Sequence, residues 1–237
     1  MAAPEEALLA AARDHALIDL VVLIDSALAG GDVTVAEVDE LCGKRRRGVR
    51  NLRRCLALAD GRSESPWESI LRIFYRLCEV PIEVQVPILD RAGVPVSRAD
   101  LMISGTRRLV EYDGDSHRSI HGQAHDMARD CMLMSLGCQR YAYNAVSIRT
   151  CPARLLREAD EALGRPHDPA RLRSWLAALR ESTLSSAGRA RLRARWRAQA
   201  SHLEQQLVTG DSPNRLNSVG CDHFGRGRVS GRSDEPR

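Results

Sequence analysis

The order of patterns along this 237-residue chain predicts an α/β fold, in which a sheet is flanked by helices and preceded by a small helical domain. Three observations predict it. Residues 5–60 carry only helical patterning. Three strand-like runs then follow one another between residues 82 and 114. Helical runs with clear start and stop signals bracket them, at 65–80 and 124–137. The length and a hydrophobic content of 43% suffice for one sizeable core, or for one core and a small second domain.

Taken in order, "EEALLAAARDH" is a first helix, and "ALIDLVVLIDSALAGG" a second that stops at Gly30-Gly31. In "TVAEVDELCG", Thr34 and Glu37 form a capping box. "RGVRNLRRCLALAD" is a further helix, and "KRRRG" lies between these last two. Short helices around a basic turn resemble a helix-turn-helix or winged-helix module, with Lys44, Arg45, Arg46, Arg47 and Arg50 facing phosphate. A helical subdomain with a solvated basic face reads equally well. After the polar junction "GRSES", Ser65 is a natural N-cap, Pro66 fits the first helical position and Glu68 completes a capping box. Ile70, Ile73, Phe74 and Leu77 form that helix's apolar face.

"IEVQVPIL" alternates as a strand should and ends at the turn "DRAG". "VSRADLMI" and "RRLVEYDG" are the next strands, "AHDMARDCMLMSLG" is a helix ended by Gly137, "CQRYAYNAVSI" a fourth strand and "CPARLLREADEALG" a closing helix. The predicted domains are therefore a helical module over 1–61, an α/β domain over 62–164, an arginine-rich helical extension over 165–208 and a disordered tail over 209–237.

The net charge of +4 is unevenly spread. Residues 165–237 hold 14 arginines against 7 acids, whereas residues 1–164 hold 21 basic and 24 acidic groups. A basic tail on a nearly neutral body points to a polyanionic partner. The seven cysteines include no C-x-x-C pair, which argues against zinc and for reduced thiols packed as small core residues. No signal-peptide pattern opens the chain, and Asp19 and Asp25 interrupt its most apolar run, so a cytoplasmic protein that does not enter a membrane is expected.

One stretch stands apart. "RRLVEYDGDSHR" crowds Glu111, Asp113, Asp115 and His117 at the end of a core-like strand. Register explains why this matters. Whether Gly105-Thr106 makes a two-residue type II′ turn or Ser104–Arg107 a four-residue loop, Leu101 pairs with Val110, and Asp100 with Glu111. Two carboxylates with Cβ atoms about 5 Å apart destabilise a sheet unless a cation joins them. Mg²⁺, which takes oxygen ligands and commonly one or two carboxylates, resolves the conflict. A structural alternative remains open: Asp113 and Asp115 as turn residues, and Glu111 paired with Arg98 or Arg108.

The sequence "SESPWESILR", "VSRADLMI", "LVEYDGDSHR", "HDMARDCMLMSLG" resembles the family catalogued as domain of unknown function 559. That family is related to the very-short-patch-repair endonucleases, and its fold is the PD-(D/E)XK, restriction-endonuclease-like mixed sheet flanked by helices. The resemblance covers about residues 63–162. The N-terminal helices resemble an antitoxin-like DNA-binding region. It implies that Asp100 and Glu111 are the ligands of Mg²⁺ or Mn²⁺, that Glu68 adds a ligand or holds a metal-bound water, and that Asp113 replaces the motif lysine. It implies that His117 is a general acid/base or phosphate contact, with His121 and His125 as weaker candidates. Arg118 would meet phosphate, and Asp126 and Arg129 match family positions, for which helix packing and phosphate contact are both open. The chain departs from the family at Gly137-Cys138, where Gly-Trp is common, and in lacking a lysine near the site. The expected activity is metal-dependent DNA endonuclease, acting as a homodimer where both strands are cut. The alternative is an inactive DNA-binding regulator that keeps the fold.

Overall fold

Short helices open the chain: α1 (Pro4–Ala11), α2 (Leu17–Ala29), α3 (Val35–Cys42) and α4 (Val49–Leu56). The computed structural model describes the backbone of residues 3–114 and 120–209, and the side chains of these residues except 120–126, 203 and 206–209. The capping box at α3 forms as expected: the Glu37 N–H donates to the Thr34 hydroxyl and the Thr34 N–H to the Glu37 carboxylate. α2 ends at Gly30, and Gly31 follows at φ +72°.

The next helix, α5 (Pro66–Leu77), joins the two halves of the molecule. Ser65 caps it by accepting the Glu68 N–H at 3.2 Å. The Glu68 carboxylate turns back to the N–H of Glu64, at 2.9 Å, not to that of Ser65, so the reciprocal half of the predicted box is displaced by one residue. Residues 69–75 are all buried. A helix covered on every side belongs to the interior, and the one-faced amphipathic reading gives way to that. α2 packs on one flank and the sheet on another, while Phe74 meets the buried Trp175 edge-on at 5.3 Å. On the α2 side, Arg72 and Asp25 form an ion pair with side chains 0% and 2% exposed. Asp25 also accepts the Asp60 N–H at 2.7 Å, and Arg72 donates to the Leu58 carbonyl. One hydrophobic core thus runs from Leu8 to Ala178, across the junction at 61 and 62.

Three antiparallel strands follow: β1 (Ile82–Leu89), β2 (Pro95–Ile103) and β3 (Arg108–Tyr112). Helix α6 (Ile120–Ser135) then crosses over to β4 (Gln139–Tyr143), which pairs parallel with β3, as a helical crossover allows. The sheet is mixed, in the order β1-β2-β3-β4. Leu101 pairs with Val110, in the predicted register. The connection is the four-residue loop 104–107: the Thr106 N–H donates to the Ile103 carbonyl, and Gly105, at φ +76°, is the second central residue of the turn. The type II′ alternative, with glycine first, does not form. The "DRAG" turn is held by Asp90, whose carboxylate accepts the Ala92 and Val94 N–H groups.

The sheet is covered on both faces. Val84, Leu101, Ile103 and Val110 join the main core under α5. Ile88, Ala99 and Leu109 form a second cluster with Leu133 and Cys138 under α6.

Beyond β4 the expected strand over 138–148 stops early. Asn144 accepts the Ser147 N–H at 2.9 Å and starts α7 (Ala145–Thr150), a local cap that outcompetes sheet extension. α8 (Pro152–Ala162) closes the α/β region as expected. In the extension, a 3₁₀ turn (Pro169–Arg171) leads to α9 (Leu172–Glu181), whose Trp175 is part of the main core, and then to α10 (Ser186–Thr209). The chain divides into two units, Met1–Arg195 and Trp196–Arg237. Among the described residues no helix is long and apolar enough to cross a membrane. Cys42, Cys55, Cys78 and Cys138 are buried free thiols, while Cys131 and Cys151 are exposed.

Candidate active site

The strand pattern fails at one place, and the acids collect there. In an undisturbed strand, residues 84, 86 and 88 would share a face. Here Val84 lies in the main core, whereas Val86 and Ile88 pack in the second cluster. Opposite them, Leu101 and Ile103 lie in the main core and Ala99 in the second cluster. Both strands therefore change facing between the pairs Val84↔Leu101 and Val86↔Ala99. The residues between are Gln85 and Asp100. Gln85 makes the reversal by adopting φ +54°, a left-handed conformation that costs a non-glycine residue on the order of 1 kcal/mol.

Asp100 consequently points into the gap where β2 and β3 part. The β2–β3 ladder has Met102↔Leu109 and Leu101↔Val110 and ends there. Asp100 and Glu111 are thus not a ladder pair, although the register brings them to the same point. The Asp100 carboxylate accepts the Tyr112 N–H at 3.0 Å, in place of a strand carbonyl. Burial, with the nearby carboxylates of Glu68 and Glu111, pushes its pKa up to about 6, against the lowering pull of the Tyr112 N–H and of Arg129.

Glu68 reaches the centre from the first turn of α5. One of its oxygens accepts the Glu64 N–H at 2.9 Å and the Gln85 amide at 3.0 Å. The other polar side-chain atom of Gln85, Oε1, is buried and accepts no hydrogen bond among the described residues. Beside Glu68, Trp67 stacks on Tyr112 of β3, with ring centroids 5.5 Å apart and planes 8° from parallel.

Glu111 is buried, and two arginines hold it. Arg129 of α6 spans both carboxylate oxygens at 2.7 and 2.9 Å, and Arg140 of β4 adds a third bond at 3.2 Å. Arg129 also donates to the Ser97 hydroxyl at 3.0 Å and the Arg98 carbonyl at 3.1 Å. Arg140 grips Asp130 through two bonds of 2.6 and 3.0 Å, which lowers the pKa of Asp130 and raises its own. The surface pairing expected as the alternative, Glu111 with Arg98 or Arg108, is not the one formed: Arg98 pairs with Glu64, and Arg108 stacks over the Tyr141 ring at 3.8 Å.

Asp100, Glu111 and Glu68 are therefore brought together. Asp113 lies just past β3, with its N–H on the Tyr143 carbonyl at 3.0 Å. His117 and Arg118 lie outside the described residues, and the side chains of His121, His125 and Asp126 are not described. Ser97, Gln85, Asp130 and Arg140 join the centre without having been singled out in the sequence. Only Arg140, a charge in the middle of a strand-like run, carries a signal that could have found it.

The donors are oxygens, as Mg²⁺ requires, and the second oxygens of Asp100 and Glu68 accept no hydrogen bond from a described residue. Their present pairing does not fit a metal cage. Among the described residues no three His, Cys, Asp or Glu side chains are disposed to hold an ion, and Glu111 is already neutralised by Arg129 and Arg140.

The basic turn forms a separate surface. Lys44, Arg45, Arg46, Arg47 and Arg50 are exposed, and together with Gly43, Val49 and Arg53 most of them line a shallow depression between α3 and α4. Lys44 pairs with Glu40 at 3.7 Å and Arg46 with Glu6. No family model, no curated protein and no solved structure matches this chain.

Proposed function

We propose that this protein is a metal-dependent DNA endonuclease, hydrolysing phosphodiester bonds, of the restriction-endonuclease-like fold and similar to the domain of unknown function 559 family. The observation that carries the reading is the meeting of Asp100, Glu111 and Glu68 at the point where β1 and β2 reverse their facing. Three carboxylates from two strands and a helix, with a strained Gln85 beside them, are more acid than the bonds that tie β3 to β2, α6 and β4 require. The order α5-β1-β2-β3-α6-β4, antiparallel and then parallel, agrees with that fold.

In this reading Asp100 and Glu111 would be the residues to hold Mg²⁺ or Mn²⁺, with Glu68 beside them, although the pairing of Glu111 with Arg129 and Arg140 forms no such cage among the described residues. A bound ion would supply positive charge against a scissile phosphate and make water more acidic. Asp113 and His117 are the remaining acid/base candidates. Lys44, Arg45, Arg46, Arg47 and Arg50 supply phosphate contacts away from the centre. A homodimer serves cleavage of both strands, and the cytoplasm is the compartment that accords with reduced thiols.

One observation favours a second reading, an inactive DNA-binding regulator: Glu111 is bound by Arg129 and Arg140, and no lysine lies near it. The test is cleavage of supercoiled plasmid with Mg²⁺ or Mn²⁺ by wild type, Asp100→Asn and Glu111→Gln. The proposal expects metal-dependent nicking that falls at least ~10²-fold in both variants. DNA binding without cleavage by a folded wild type, on duplex, single-stranded and mismatched DNA, would leave the regulator.

A further inference from the structure

We infer that the cleft between α4 and the first half of α10 seats the sugar-phosphate backbone of duplex DNA, without regard to base sequence. This rests on the DNA-binding part of the reading above and gives the C-terminal extension a share in it.

The extension is fastened to the N-terminal helices. Asp19 of α2 accepts the Ser182 hydroxyl at 2.8 Å, the Thr183 hydroxyl at 2.7 Å and the Thr183 N–H at 3.0 Å. Gly188 packs so tightly that a Cβ there would fall 1.9 Å from the Ser182 carbonyl oxygen, which fixes how α10 enters. Further along α10, Arg195 donates to the carbonyls of Asp14 at 2.9 Å and Arg13 at 3.3 Å. The α1–α2 turn, α4 and α10 thus enclose a cleft of about 280 Å³, with Arg13, Arg54, Arg191 and Arg195 along its walls.

These charges are not spent inside the protein. All four arginines are exposed. Arg54 meets no acceptor among the described residues, and neither do the side chains of Arg45, Arg47 and Arg50. Arg13 and Arg195 bond backbone carbonyls, which carry no countercharge. Arg191 faces Glu181 at 3.9 Å, with side chains 43% and 59% exposed, a contact worth little in water. Asp19 is consumed by Ser182 and Thr183, so the acids that face the four guanidiniums are Asp14 and Glu181. The cleft also continues the basic turn. Arg13 donates to the Arg47 carbonyl at 3.4 Å, and one turn of α4 separates Arg50, in the depression beside α3, from Arg54 in the cleft.

The chemistry selects the occupant. A strip of permanently charged guanidiniums matches a row of phosphates. Asn51, the side-chain amide of the cleft that could read a base edge, is committed to the Ala12 and His15 carbonyls, both at 3.0 Å. Backbone recognition without base readout follows. Among the described residues, no exposed large apolar side chain lines the cleft or the depression, whereas a helix lying on a membrane needs an apolar face to insert.

The experiment measures binding of the full-length protein to fluorescein-labelled duplexes of two unrelated sequences, by anisotropy, in EDTA and between about 50 and 200 mM NaCl. The proteins are wild type, Arg54→Gln, Arg54→Gln/Arg191→Gln and, as a control, Arg157→Gln, an exposed arginine of α8 outside the cleft. The double variant should bind both duplexes at least about tenfold more weakly, and its slope of log K against log salt should fall by about 2. Arg157→Gln should bind as wild type does. Unchanged binding by the double variant overturns the inference, as does no binding by wild type or an equal loss in Arg157→Gln. A loss confined to one sequence overturns backbone recognition. Tighter binding to duplex RNA, or to phosphatidylserine-containing vesicles, with the same variants defective, overturns the DNA assignment. Should the double variant not fold, Arg54→Gln decides, since it breaks no bond among the described residues: a slope reduced by about 1 supports the cleft, and an unchanged slope overturns it. EDTA keeps the outcome separate from catalysis. Weakened binding in the variants with no plasmid cleavage by wild type leaves the cleft without the nuclease, and cleavage by wild type with unchanged binding leaves the nuclease without the cleft.

Discussion

Arg72–Asp25 and Arg129–Glu111 use the same pair of groups to different ends. At the α2–α5 junction the charges match one to one, both side chains are enclosed, and the remaining polar atoms of Asp25 meet the Asp60 N–H and its arginine. The one atom of the pair that lacks a partner among the described residues, Arg72 Nε, is sealed from solvent. At the sheet, Glu68, Asp100, Glu111 and Asp130 face two arginines, and the buried side-chain oxygen of Gln85 lacks a donor among the described residues. Balanced charge joins elements. Unbalanced charge, held on strained backbone, marks a place whose complement comes from outside the chain.

The largest effect should come from breaking the balanced pair. Asp25→Ala leaves Arg72 charged and sealed, which costs about 3–5 kcal/mol and removes much of a domain's stability. Arg129→Gln should cost only about 1–2 kcal/mol, because Arg140 remains on Glu111 and water can reach the site. Urea denaturation of the two variants beside wild type measures this. Equal losses would abolish the distinction between a joint and a site.

The next effect follows from pH. The folded-state pKa of Asp100 is about 6, above the ordinary carboxylate value of about 3.9 that the unfolded chain has. The native state therefore favours the protonated acid. That contribution to stability is fully present below about pH 4 and is lost as pH rises through about 6. Because the group is partly exposed, the loss at pH 8 is discounted to about 1–2 kcal/mol. Asp100→Asn, which can still accept the Tyr112 N–H, should match wild type near pH 4 and exceed it by that amount at pH 8. A difference that does not vary with pH would remove Asp100 from the unbalanced set.

The sequence showed the joint and the site unequally. β1 begins and ends where its alternation does, and the Leu101–Val110 register follows from a short connection with glycine available for its turn. Local chemistry decided both. The same argument reached Asp100 and Glu111, because once the turn is placed their positions follow. It did not reach Arg129 or Arg140 as the partners of Glu111, since those contacts span 18 and 29 residues and depend on how α6 crosses to β4. Nor did it reach Asp25 with Arg72, 47 residues apart, or the burial of α5 on all sides. Gln85 was hidden for another reason. "IEVQVPIL" reads as a regular strand, and nothing local to glutamine announces a positive φ.

Gln85 therefore supplies the finest test of the comparison, because the molecule contains its counterpart. Glu79, at φ 55°, ends α5 in a Schellman arrangement, with the Val80 N–H on the Tyr75 carbonyl at 2.9 Å and the Glu79 N–H on the Arg76 carbonyl at 3.2 Å. Glycine is the usual residue at that position, and the Arg165 contact there uses the Glu79 backbone carbonyl, which glycine keeps. Glu79→Gly should stabilise the protein by about 0.5–1 kcal/mol in urea denaturation. Gln85→Gly relieves similar strain but removes the amide bond to Glu68, so its gain should be smaller or absent. The informative difference is in binding: Gln85→Gly should weaken Mn²⁺ binding, and Glu79→Gly should leave it unchanged. If both glycine variants stabilise equally and neither affects Mn²⁺, the left-handed turn at Gln85 only bends a strand, and the acids beside it lose their claim to a common purpose.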